Sequence, residues 1–254
     1  NVNDIAEEIV RLYGYENLAC TLPKVEIKQG EYKGDVKYRK IIASRLRTLG
    51  LTETRTYTLT SPSMASTFNY EGKTHLNLPN PMSIDKSVLR TSLIPSMLNV
   101  YNYNKARKVD NMYLYEISKT YDVNYKEESK IAILMKGNYI INEATKVNVK
   151  CDFYLIKGIV ENLLDYLGFN GRYHFVKSEI DNMHPKRSAK IYLDDTFLGI
   201  IGEVHPSLCK DEIYTAEISL NKLMQEIKPL KYVGASIYPE IVKDVAFVVD
   251  KSLP

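Results

Sequence analysis

Asn80-Pro81-Met82-Ser83 and then Leu89-Arg90-Thr91-Ser92-Leu93-Ile94-Pro95 open the stretch on which the reading of this chain turns. A segment rich in tyrosine and asparagine follows as far as Arg107, and after it comes Met112-Tyr113-Leu114-Tyr115-Glu116-Ile117. Pro95 marks a helix start, because proline suits the first helical turn. Ile94, Met97, Leu98 and Tyr101 recur at helical spacing and predict its buried stripe, with Asn99, Asn102, Asn104 and Lys105 on the polar side. Residues 112–121 predict a strand. From Lys86 to Lys108 there are five Lys/Arg and no Asp or Glu. Such a block suits an RNA-facing surface, a nucleotide-triphosphate site or a solvated face.

Upstream, residues 4–13 predict a short helix with Ile5, Ile9 and Leu12 on one face, a capping-box start at Asp4-x-x-Glu7 and a stop at Gly14. Residues 20–34 read as a linker. Residues 35–49 predict a second helix, with Tyr38, Ile42, Leu46 and Leu49 sharing a face and Gly50 ending it. From Lys24 to Arg47, eight Lys/Arg face three Asp/Glu; that basic face is either solvated or a contact for phosphate or a partner. Residues 53–60 alternate like a strand that stops at Ser61-Pro62, and 75–78 predict another.

Downstream, 130–135 predict a strand and 152–167 the clearest helix, with Phe153, Ile156, Val160, Leu163, Leu164 and Leu167 core-facing. A strand at 173–176 precedes His184-Pro185, read as a turn. A hairpin follows, 189–193 and 197–203 about Asp194-Asp195, closing on His205-Pro206. The remainder predicts a strand at 213–218, a helix capped by Ser219 running to Glu226, a second linker at 229–239 and a last strand at 244–250. About eight strands and five helices, with hairpins rather than βαβ units after Ser188, argue an α+β fold: a mainly antiparallel sheet flanked by helices.

The chain has 254 residues, 44% of them hydrophobic and 26% charged, with a net charge of +3. That is an ordinary globular composition, long enough for a sizeable core. The charge is too small to argue nucleic-acid binding by itself, and no apolar run is long enough to span a membrane. Cys20, Cys151 and Cys209 are widely spaced and form no CxxC pair, which suits a reducing, cytoplasmic setting better than zinc or disulfides. Residue 1 is not Met, and the chain opens inside a capped helix and stops just after a strand; it reads as a segment of a longer polypeptide.

GxxxxGK(S/T), GxGxxG, GxSxG and HExxH are all absent. His184 and His205 have no further zinc ligands in sight. Glu116 and Glu203 each stand among apolar strand neighbours, as partner-satisfied carboxylates or as an acid/base pair. Asp4, Glu7 and Glu8 read two ways: as a cap with first-turn carboxylates favoured by the helix dipole, or as oxygen ligands for Mg²⁺ gathered within one turn.

Taken together, the segments resemble a known family. Asn80-Pro81-Met82-Ser83, Leu89-Arg90-Thr91-Ser92-Leu93-Ile94-Pro95, Tyr103-Asn104 with Arg107, and Leu114-Tyr115-Glu116-Ile117 before Lys119-Thr120-Tyr121 resemble the core of the bacterial phenylalanyl-tRNA synthetase beta subunit. So do Asp152-Phe153-Tyr154-Leu155-Ile156-Lys157-Gly158, His184-Pro185 through Ser188-Ala189, and Gly199-Ile200-Ile201-Gly202-Glu203-Val204-His205-Pro206. Lys186 stands where the family has Gly.

The resemblance implies three parts: the end of the B5 module, DNA-binding-like, over 1–22; a class II aminoacyl-tRNA synthetase-like core without chemistry (B6–B7) over 35–231; and a linker with the first strand of a ferredoxin-like anticodon-binding domain over 232–254. It implies that Asp4, Glu7 and Glu8 bind a Mg²⁺ shared with an alpha subunit, together with a family Asp lying upstream. Class II sites hold ATP with an Arg-x-Glu strand and a glycine-rich segment ending in Arg, since charge builds on the phosphates during adenylation. Here Leu114 stands where the first Arg belongs, and Ala216-Glu217-Ile218-Ser219-Leu220-Asn221-Lys222 has neither glycine nor Arg. The implied role is a scaffold with no catalytic or nucleotide-binding residue of its own. It assembles with the alpha subunit, which binds ATP and phenylalanine, in a heterotetramer of two alpha and two beta subunits that charges tRNA(Phe) in translation, with no membrane involved. Arg90, Lys105 and Arg107 are then structural or subunit contacts. A stand-alone class II-like adenylating enzyme and a general RNA-binding domain are the alternatives.

Overall fold

Alternation along the longest strands decides the architecture, because successive side chains leave opposite faces of a sheet. In β4 (Met112–Tyr121) and β5 (Glu127–Lys136) both sets of side chains are buried at the centre, so both faces need cover. The computed structural model describes residues 1–26, 28–227, 234 and 238–250. The chain divides into two units, Asn1–Gly34 and Asp35–Pro254.

The first unit holds α1 (Val2–Tyr13), which stops at Gly14 with φ 94°, and a 3₁₀ turn at Tyr15–Asn17. Ile5, Ile9 and Leu12 repeat at helical spacing, yet no residue of α1 is buried.

The second unit is built on a seven-stranded sheet. Its other members are β1 (Thr52–Glu53), β8 (Tyr173–Lys177), β9 (Met183–Leu193), β10 (Thr196–Val204) and β11 (Tyr214–Ser219), in the order β1-β4-β5-β11-β10-β9-β8. Only the β1–β4 pair is parallel. On one face lie α2 (Gly34–Thr48), α5 (Phe153–Tyr166) and α6 (Leu220–Glu226), whose Ile42, Leu46, Ile156, Leu163 and Leu223 pack with Tyr115, Ile131, Ile133, Ile201 and Ile218. Each fully buried Leu or Ile contributes about 1.5–3 kcal/mol relative to exposure. Asp152 starts α5 by accepting a hydrogen bond from Leu155 N at 2.7 Å. On the other face lie α3 (Pro62–Ser66) and α4 (Ile94–Lys105); Phe68, Leu93, Ile94, Met97 and Tyr101 cover Leu114, Ala132, Leu134 and Ile200. Two small ladders complete the unit, β2 (Leu59–Thr60) with β3 (Val88–Leu89), and β6 (Asn138–Asn142) with β7 (Val147–Lys150).

The glycine pair of β10 is explained by close approach. A methyl group on Gly199 overlaps the carbonyl oxygen of Glu217 on β11, and one on Gly202 comes within 2.6 Å of the carbonyl oxygen of Arg187 on β9. Gly199→Ala is expected to cost about 3 kcal/mol through this overpacking, read as a lowered denaturant midpoint.

Several expectations need correction. The described residues carry eleven strands and six α-helices. Residues 53–60 are not one strand. The chain leaves the sheet after β1, Thr56 bonds the Glu116 side chain, and β2 pairs with β3 instead. Residues 75–78 form only an isolated bridge, Asn77 with Val88. The β6–β7 hairpin was not expected: Gly137, φ 94°, turns the chain directly into a further strand rather than ending the structure. His184-Pro185 is no turn but lies inside β9, at the register shift opposite Gly202 and Val204, where the missing N–H of proline costs no ladder bond. Leu98 is half-buried rather than core. Residues 244–250 form no strand, and Phe247 and Val248 are exposed. The linker expected at 229–239 falls mostly outside the described residues.

Candidate functional site

The face of the sheet under α4 carries three transverse rows of side chains. Glu116, Ala132 and Glu217 lie side by side across β4, β5 and β11; Leu114, Leu134 and Thr215 form the second row; Ser118, Lys130 and Ser219 form the third. Two networks of charge are built into these rows, each centred on a cation that is 1% exposed, Arg90 or Lys130.

The first is centred on Arg90, which follows β3 and is 1% exposed. Its Nε donates to Lys119 O at 3.0 Å, Nη1 to Thr56 Oγ1 at 2.6 Å and Glu116 Oε1 at 3.1 Å, and Nη2 to Ser118 Oγ at 2.6 Å. Glu116 in turn accepts from Thr56 Oγ1 at 2.7 Å. The guanidinium fork is thus used up by fixed protein acceptors.

The second joins three carboxylates to three ammonium groups. Lys130 Nζ lies 2.7 Å from Glu71 Oε2 and 3.8 Å from Glu217 Oε2, and donates to Tyr70 Oη at 2.9 Å. Lys73 bridges Glu71 at 2.8 Å and Glu128 at 2.5 Å, and Lys222 stands 3.8 Å from Glu71. Glu217 also accepts from Leu93 N at 2.7 Å and Ser92 Oγ at 2.9 Å. Leu93, the N-cap residue of α4, makes no side-chain cap of its own. Glu217 therefore supplies from β11 the negative charge that the positive end of α4 attracts.

Burial alone pushes the Glu71 carboxyl up, but Lys130 and then Lys73 bring it down to about 2. For Glu128 the opposing burial is likewise outweighed, chiefly by Lys130. For Lys130, burial works to lower the ammonium, and Glu217, Glu71 and Glu128 raise it overall. A carboxyl that titrates lower in the fold than in the unfolded chain stabilises fully above its ordinary value, and the gain is lost as pH falls toward the folded value. Resistance to urea is therefore expected to hold near neutrality and to fall between pH 4.5 and about 2. Glu71→Gln should flatten that acid limb and lower the midpoint at neutral pH.

Chemically this face is full. Leu114, Glu116, Lys130, Ala132, Leu134 and Glu217 are at most 8% exposed. A hollow of about 320 Å³ opens beside Arg39, Arg55 and Lys119 and reaches Thr56, Glu116 and Ser118 of the first network. Those cations are engaged with Asp35, Glu53 and Glu127.

This filled sheet meets its counterpart among known proteins. The family profile described as phenylalanyl tRNA synthetase beta chain CLM domain matches residues 18–220. The chain belongs to this family. Relatives of the phenylalanyl-tRNA synthetase beta-chain CLM domain include the phenylalanine–tRNA ligase beta subunits of Geobacillus kaustophilus, 35% identical over 260 residues, and Bacillus subtilis, 36% identical over 260 residues. Each alignment takes in 98% of this chain and 32% of the relative. The beta subunit of Streptococcus pneumoniae strain R6 is 37% identical over 257 residues, covering 96% of this chain and 32% of the relative. The chain thus spans about a third of the length of the relatives it matches. Among solved structures, a pyrrolysyl tRNA synthetase of Desulfitobacterium hafniense superposes with a TM-score of 0.54 at 14% identity, over 77% of this chain and 71% of that one. That likeness shows the class II synthetase fold.

Within the CLM domain, Leu114 occupies the sheet row beside Leu134 and Thr215 and packs in the apolar cluster under α4. Glu203 pairs with Arg187 at 2.6 Å, Lys105 with Asp211 at 2.7 Å, and Arg107 lies over the Tyr103 ring at 3.3 Å. Asp4, Glu7 and Glu8 leave α1 within one turn and are exposed. Glu8 accepts from Arg11 Nη2 at 2.6 Å and Nε at 3.0 Å. Among the described residues no three His, Cys, Asp or Glu side chains come together to hold a metal. The three carboxylates are hard oxygen donors, suited in kind to Mg²⁺. Likewise, among the described residues no helix is long and apolar enough to cross a membrane. Sequence reasoning missed Lys130, Glu71 and the capping role of Glu217. The available signal was a lone charge beside an apolar run, Lys130 before Ile131-Ala132-Ile133 and Glu217 between Ala216 and Ile218.

Proposed function

We propose that this chain is a non-catalytic, class II-like scaffold segment of a phenylalanine–tRNA ligase beta subunit. It assembles with an alpha subunit that binds ATP and phenylalanine, in a heterotetramer of two alpha and two beta subunits that charges tRNA(Phe). The observation that carries this reading is the buried sheet row of Leu114, Leu134 and Thr215, with Leu114 where the resemblance calls for a phosphate-binding Arg. The boundaries implied by the resemblance, 1–22, 35–231 and 232–254, belong to the same proposal. Asp4, Glu7 and Glu8 serve there as Mg²⁺ ligands completed by donors outside this chain. The free thiols Cys20, Cys151 and Cys209 suit the reducing cytoplasm in which translation runs.

An obligate partner needs a large apolar surface. Exposed Tyr57, Met82, Ile84 and Tyr103 support one on the α4 side of the core, with Lys86 over the Tyr57 ring at 4.2 Å. Co-expression with an alpha subunit followed by size-exclusion chromatography should give one complex. Met82→Glu with Ile84→Glu should abolish it without moving the thermal midpoint of the chain alone, since both side chains are already in water. Wild-type chain that elutes apart from the alpha subunit contradicts the scaffold reading.

A further inference from the structure

A cavity lies on the opposite face of the sheet, away from both charge networks. It measures about 730 Å³, a volume suited to a small-molecule ligand. Its floor is Cys151, Ser188, Ala189 and Tyr214, all at most 4% exposed. Small residues create the space. Farther along β9 the same face carries the larger Ile191 and Leu193, whereas at this end it carries only the methyl group of Ala189. Phe153 and Tyr154 from the first turn of α5 and Phe175 from β8 give it aromatic walls.

The rim is cationic, and its carboxylates are committed. Glu212 is held by Lys150 and Asp152 caps α5, while Arg187 is held by Glu203 just outside. Lys177 and Lys186 join no ion pair among the described residues, although both line the cavity. Burial, with a smaller push from Asp152, raises the Cys151 thiol to about 11, so the floor carries no anion at neutral pH.

We propose that this cavity binds a small organic anion built on a flat ring. The ring lies against Phe153, Tyr154 and Phe175, and the anionic group lies between Lys177 and Lys186. Aromatic walls reward a planar apolar body, and two exposed ammonium groups lining the same cavity attract a phosphate or carboxylate. This proposal does not rest on the scaffold reading, because its residues lie on the face of the sheet opposite Leu114 and Glu217.

The test is a titration of the full 254-residue chain with naphthyl phosphate, followed by amide NMR, with naphthylmethylamine as the charge-reversed probe. Saturable shifts are expected at β9 and the first turn of α5, with little response to the amine. Lys177→Ala with Lys186→Ala should weaken the phosphate by about tenfold or more. Ala189→Leu should abolish binding by filling the floor. Should that variant misfold, Tyr154→Ala, which alters an exposed wall, is expected to weaken binding with the fold intact. Absence of saturable shifts, equal affinity for the amine, or unchanged affinity in the double lysine variant overturns the proposal.

Discussion

Replacing Lys130 with methionine is expected to lower the stability of the core by about 3–5 kcal/mol. The substitution keeps most of the volume and removes only the ammonium, so the cost is not that of a cavity. Lys130 is 1% exposed and Glu217 is fully buried, and Glu217 has no other ammonium within 4 Å among the described residues. Glu71 retains Lys73 and, more distantly, Lys222. The loss therefore falls chiefly on Glu217, left as a charge in an apolar layer. Guanidinium unfolding of the single variant measures it. A second variant, Lys130→Met with Glu217→Gln, should recover part of the loss, because the neutral amide still accepts from Leu93 N while carrying no uncompensated charge. A single-variant loss below about 1 kcal/mol would place the Lys130–Glu217 pair among weakly coupled surface pairs, despite its burial.

The second large effect concerns Leu114→Arg, which restores the residue type an ATP-binding strand requires. It is expected to cost about 3 kcal/mol or more and to leave an isothermal titration with ATP–Mg²⁺ flat. Leu114 is 8% exposed and packs among Met97, Leu134 and Ile200. A guanidinium there meets no free carboxylate, since Glu116 is already committed to Arg90 and Thr56. Recovered ATP binding with the fold intact would show that one missing side chain, rather than a filled face, silences this sheet.

Much of this was legible in the chain because the signals are local. The stripe Ile156, Val160, Leu163 and Leu164 fixes α5, and the Asp194-Asp195 turn, with Asp194 at φ 49°, fixes the β9–β10 hairpin. The family was legible for the same reason, since it rests on short motifs. The networks were not. Glu217 and Ser92 stand 125 residues apart, and Lys130 and Glu71 59 apart, so only the assembled sheet brings the charges together. The β6–β7 hairpin escaped notice because its strands are largely exposed and have no apolar face to alternate. Residues 53–60 misled by reading as one alternating strand, because the bend toward Glu116 is set by a partner some sixty residues on.

The strand order β1-β4-β5-β11-β10-β9-β8 also dictates when this core can be finished. β11 is the last strand of the main sheet in the chain, yet it lies between β5 and β10. During synthesis the ribosome releases two half-sheets first, each with a naked inner edge of unpaired N–H and C=O groups. Neither half can dock on the other, and α4 has no anion at its amino end, until the segment carrying Glu217 emerges. The core should therefore assemble late and in one cooperative step, by insertion of a keystone. Nascent chains stalled before residue 213 should be degraded or aggregate, while chains stalled once α6 has cleared the exit tunnel should resist protease.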